Sequence, residues 1–96
     1  MRYFHRTSLD PDGVLAEADA FFGTQLEEIE RGERSRAFRG SIGTITLTIR
    51  AEGGHYTHVS AVTDQVAESE LDKLTKRFLG LVHQRADPSH QVRGAY

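Results

Sequence analysis

Residues 44–63, Thr44-Ile45-Thr46-Leu47-Thr48-Ile49-Arg50-Ala51-Glu52-Gly53-Gly54-His55-Tyr56-Thr57-His58-Val59-Ser60-Ala61-Val62-Thr63, decide the fold. From Thr44 to Arg50, polar and aliphatic residues alternate strictly, which is the period of a strand with one dry face and one wet face. Glu52-Gly53-Gly54 then reverses the chain, and residues 55–63 return. A two-residue Gly53-Gly54 turn would set Ile49 against His58 and Leu47 against Ser60, mixing polar and apolar side chains on both faces. A three-residue loop with Gly54 left-handed sets Ile49 against Thr57, Leu47 against Val59 and Ile45 against Ala61. Because register follows burial, the second arrangement is expected. It gathers Thr44, Thr46, Thr48, Arg50, Tyr56, His58 and Ser60 on the face away from the core.

Outward from this hairpin, residues 34–39 form a preceding strand that turns at Gly40-Ser41-Ile42-Gly43, so a β-meander is expected. Residues 24–33 admit two readings. Thr24 with Glu27 resembles a capping box for a short helix ending near Gly32, whereas an extended segment turning at Gly32-Glu33 would add a strand. The extended reading is adopted. Residues 2–8 alternate as a short first strand, with Tyr3, His5 and Thr7 on one side and Phe4 on the other.

Two helices flank the meander. Asp10 caps the first, Pro11 suits its first position and Asp12 favours the positive end of the dipole. Val14, Leu15, Ala18, Phe21 and Phe22 make its apolar stripe, and Gly23 stops it. The second covers roughly 66–86, with Leu71, Leu74, Phe78, Leu81, Val82 and the stem of Arg85 facing inward. Ser69 with Asp72 can cap it, Asp64 could start it earlier, and Asp87-Pro88 ends it. The expected class is α+β: an antiparallel β-meander with a short N-terminal strand and two amphipathic helices on one face, in the order β-α-(β)-β-β-β-α. One domain spans 1–96, and its polar tail, 87–96, either frays or docks through Val92 and Tyr96.

Composition narrows the function classes. The chain has 96 residues, no cysteine and a formal net charge of −2. Lack of cysteine excludes disulfide frameworks and thiol nucleophiles, so a reducing cytoplasm is expected. The first six residues hold no signal-like apolar run, and no stretch approaches membrane-spanning length, so no membrane partner is expected. Charge is segregated: residues 10–30 carry seven acids and no base, and residues 31–50 carry five arginines against Glu33 alone. Two adjacent, mutually neutralising segments would account for this without any anionic partner.

No catalytic pattern emerges. Gly40-Ser41-Ile42-Gly43 is not a nucleophile elbow, Ser60 and His58 are too far apart on one strand face for direct hydrogen bonding, and the acids at 27–30 read as a solvated face. No phosphate loop, dinucleotide fingerprint or EF-hand pattern appears, so neither an enzyme nor a cofactor is expected. His55 and His58, three apart on a strand, point to opposite faces; His5 and His58 could meet across strands but lack a third ligand, so no metal site is expected. His83 and His90 read as solvated. Arg34, Arg36 and Phe38, with Arg50, Tyr56 and His58, mix basic and aromatic groups as single-strand binders do, yet the acidic balance and missing signatures make nucleic acid an unfavoured partner.

The remaining candidate is the polar sheet face. Arg50, Tyr56 and His58, with Thr46, Thr48 and Ser60 beside them, form its expected binding patch, since Tyr and Arg favour interfaces. A small core gains from pairing this face, or the edge of the first strand, in a twofold dimer. The sequence therefore predicts a self-associating, non-covalent interaction module whose other partner, protein or small molecule, is undefined. The alternative is a ligand-binding protein or small enzyme with a pocket between helices and sheet, lined by Phe21, Phe22 and Phe78.

Overall fold

The computed structural model describes residues 1–87, so the expected tail lies, but for Asp87, outside the described residues. In chain order the elements are β1 (Arg2–Thr7), α1 (Pro11–Phe22), β2 (Glu27–Arg31), β3 (Ser35–Gly40), β4 (Gly43–Glu52), β5 (Tyr56–Thr63) and α2 (Glu70–Ala86). The five strands form one antiparallel sheet in the order β1-β5-β4-β3-β2. Strands β2 to β5 make the meander, and β1 closes onto β5. The α+β class and the strand reading of 24–33 are both realised.

Each element forms for a local reason. The Asp10 carboxylate accepts the Gly13 N–H at 2.8 Å and caps α1. Ser69 does the same for α2, accepting the Asp72 N–H at 3.1 Å. Asp64 does not start that helix. It accepts the Thr44 N–H at 2.9 Å and pins the far end of the β4–β5 hairpin. That bond and the Gln65 side chain hold the Asp64 carboxyl below the usual carboxylate range.

The hairpin register corrects one expectation. Ile49 opposes Val59, Leu47 opposes Ala61 and Ile45 opposes Thr63, two residues from the expected partners. The loop still has three residues, but they are Gly53-Gly54-His55, with Gly54 left-handed at φ 79°. A two-residue slip keeps every side chain on its face, so the burial pattern fixes parity without fixing partners. The choice between the two is made at the far end, where Asp64 and Thr44 are bonded to each other.

Both helices cover the same sheet face, α1 over β3 and β4, α2 over β1, β4 and β5. The core joins Phe38, Ile45, Leu47, Ile49, Val59 and Ala61 of the sheet to Val14, Leu15, Ala18 and Phe22 of α1. From α2 come Leu71, Leu74, Phe78, Leu79 and Val82. Leu79 takes the place expected for Leu81, which is half-buried. Arg85 does not lie inward either; its exposed guanidinium donates to Glu17 Oε1 at 3.0 Å and ties α2 to α1.

The segregated charges neutralise each other in part. Asp19 of α1 accepts from Arg36 at 2.9 Å and lies 3.3 Å from Arg31, which also pairs with Glu28 at 2.7 Å. Arg36 is only 7% exposed and also donates to the Gly32 and Ser35 carbonyls, each at 2.7 Å. With Phe38 fully buried, Arg36 and Phe38 lie on the core side while Arg50, Tyr56 and His58 lie on the other. The basic–aromatic set suggested for single-stranded nucleic acid is therefore split between two faces.

Candidate outer-face binding site

Among the described residues no element covers the sheet face away from the helices, and all six expected binding residues stand on it. Arg50 opposes His58, Thr48 opposes Ser60, and Thr46 opposes Val62, while Tyr56 sits opposite Glu52 beside the loop. The decisive neighbours come from β1, whose outward residues extend these rows: Arg6 opposes His58, Phe4 opposes Ser60 and Arg2 opposes Val62. His58 thus lies between two arginines. Ser35 and Ala37 of β3 continue the rows past Thr48 and Thr46.

Aromatic side chains give this patch its character. Phe4 is 61% exposed and Tyr56 50% exposed. The Phe4 and His58 rings meet at 5.4 Å between centroids. The Arg6 guanidinium sits 5.4 Å from the Tyr56 ring centroid and donates to Glu52 Oε1 at 3.4 Å. Ring and cation–π contacts thus tie these exposed side chains to their neighbours on the sheet. Residue-by-residue reading of 44–63 missed Phe4, Arg6 and Arg2. The signal that could have found them is the alternation of residues 2–7 taken together with pairing of β1 to β5.

The two edges of the sheet are unequal. Strand β2 is exposed throughout, carries three acids and is broken by a bulge between Glu28 and Glu30, features that discourage edge pairing. Strand β1 pairs regularly over all six residues and has no bulge.

The histidines fall differently from expectation. His55 is in the loop and His58 on the outer face. His5 points inward, so it meets His83 of α2 (ring centroids 6.3 Å apart) and not His58. His83 is accordingly not simply solvated. Burial first, and the neighbouring His83 second, hold the His5 imidazole below its ordinary value of 6.5. Its folded pKa thus lies below its unfolded pKa, so the neutral ring favours folding. That contribution is complete above about pH 6.5 and is lost as pH falls through the folded value. Denaturation midpoints measured between about pH 7.5 and pH 5 should fall on acidification, and His5→Leu should flatten that dependence. Parallel curves would contradict the assignment.

The phenylalanines expected to line the alternative pocket instead fill the centre of the helix–sheet layer. Phe21, Phe22 and Phe78 pack on one another at 5.0–5.9 Å between centroids, and Phe22 stacks on Phe38 at 5.5 Å, filling that space. Among the described residues no helix is long and apolar enough to cross a membrane. No protein-family model, curated protein or solved structure matches the chain.

Proposed function

We propose that the protein is a non-covalent interaction module of a reducing compartment that self-associates through the outer face of its sheet. The observation that carries this reading is the exposure of two aromatics, Phe4 and Tyr56, set among Arg6, Arg50 and His58 on an otherwise threonine-rich face. Exposed aromatics and arginine grouped together beside hydroxyls are what interfaces concentrate.

Charge complementarity favours a second copy as the partner. The β1, β5 and β4 side of the face carries Arg2, Arg6 and Arg50 against Glu52, a net positive half. The β2 side carries Glu27 and Glu30 against Arg39, a net negative half. A twofold axis running along β4 sets the positive half of each copy over the negative half of the other, with the aligned sheets about 10 Å apart. The size is also suitable. Five strands of about seven residues each span a plan area of roughly 550 Å² from standard strand spacing and rise. Protruding side chains raise the accessible area toward the roughly 800 Å² per partner of a specific interface.

Sedimentation equilibrium tests this reading. The wild-type chain should be a reversible dimer in the micromolar range. Phe4→Glu should weaken association by about thirtyfold or more, the cost of losing one exposed aromatic anchor. Its melting temperature, extrapolated to low concentration, should match wild type, because Phe4 contributes nothing to the core. A wild-type chain that remains monomeric at near-millimolar concentration would sink the proposal.

A further inference from the structure

At one edge of the helix–sheet sandwich a cleft of about 410 Å³ opens between α2, the segment after α1 and the β3–β4 turn. Leu26, Ile42 and Leu74 supply its aliphatic part, and all three pack against the hydrophobic core. Gln25 and Ser41 contribute polar groups. From α2, Glu70, Lys73, Leu74 and Arg77 face it at i, i+3, i+4 and i+7, the spacing of one continuous helical stripe. The volume lies within the range that small-molecule sites occupy.

The charges on that stripe identify the occupant. Lys73 and Arg77 stand one turn apart on the same face, an arrangement of like charges that is unfavourable unless an anion lies between them. Neither forms an ion pair within 4 Å among the described residues, although Glu70 lines the same cleft. Other basic residues of this helix are paired: Lys76 with Asp72 at 3.3 Å and Arg85 with Glu17 at 3.0 Å. Two unneutralised cations therefore overhang an aliphatic wall.

We infer that this cleft binds a small amphiphilic anion, its carboxylate or phosphate head held by Lys73 and Arg77 and its aliphatic body laid against Leu26, Ile42 and Leu74. The cleft includes none of the residues of the sheet face proposed for self-association, and neither assignment depends on the other.

Octanoate, octyl phosphate, octanol and octylammonium titrated separately into the full chain, followed by backbone amide NMR, test the inference. Saturable shifts with octanoate, octyl phosphate or both should concentrate in residues 25–26, 41–42 and 70–77, and the tighter of the two identifies the head group. Octanol and octylammonium should bind at least about tenfold more weakly, since a charge-assisted head-group contact is lost. Lys73→Ala and Arg77→Ala should each weaken the preferred anion about fivefold. Lys73→Glu with Arg77→Glu should transfer the preference to octylammonium, with both exposed positions leaving the circular dichroism unchanged. Equal binding of octanol and the anions, shifts spread over the whole chain, or an unaltered preference in the charge-reversed variant would overturn it.

Discussion

Phe22→Ala should remove about half of the fold's stability. Phe22 is fully buried where the two helices meet the sheet, with its ring 5.0 Å from Phe21 and Phe78 and 5.5 Å from Phe38. Truncating such a ring removes its transfer free energy and leaves a cavity that four surrounding elements cannot close, a loss of about 3–5 kcal/mol. Domains of this size hold only roughly 5–10 kcal/mol in total. Urea titration should therefore show a midpoint lowered by roughly half, whereas Phe21→Ala, at a half-buried position, should stay much closer to wild type. A Phe22→Ala variant with a wild-type midpoint would mean that the aromatic cluster does not hold the layers together.

The second large effect is electrostatic. Asp19→Ala should destabilise the fold by about 2–4 kcal/mol, because it strands a nearly buried guanidinium. Arg36 keeps its bonds to the Gly32 and Ser35 carbonyls, but those dipoles do not replace the carboxylate charge at 2.9 Å. Asp19→Ala combined with Arg36→Leu should recover much of the loss, since an apolar side chain of similar reach removes the unpaired charge. A double variant no more stable than Asp19→Ala would show that the aspartate acts through something other than Arg36, such as its contact with Arg31.

These two positions mark where sequence reading succeeds and where it stops. Periodicity carried the architecture: the Thr44–Arg50 alternation, the stripe of α1 and the caps at Asp10 and Ser69 all report local physics, and local physics decided those elements. Absolute register was not accessible, because a two-residue slip preserves the burial pattern and the bond that selects the register joins Asp64 to Thr44 at the other end of the hairpin. Leu79 and Leu81 could not be separated, since which of two nearby leucines turns inward depends on where the helix docks. The direction of Arg36 was equally hidden. An arginine at a core-facing parity position reads as a snorkelling side chain until a distant carboxylate is known to meet it.

The outer face follows the same logic. Its members in β4 and β5 were legible because one hairpin defines them. Phe4 and Arg6 belong to it only through the pairing of β1 with β5, a contact between strands far apart in sequence that no local pattern announces. That long-range pairing also converts Tyr56 and His58 from isolated polar-face residues into parts of one ordered cluster.

The lack of cysteine makes a direct test straightforward, since a single introduced thiol takes a spin label without competition. Thr44→Cys places the label on the outer face at the end of the central strand, beside the proposed twofold axis. Double electron–electron resonance on that variant should give one narrow inter-label distance of roughly 10–25 Å, as expected for sheets packed about 10 Å apart. Phe4→Glu in the same background should abolish it. A long or absent Thr44→Cys distance, alongside a short one from a label at Arg77 on the helical face, would place the contact on the wrong side of the molecule and contradict the account.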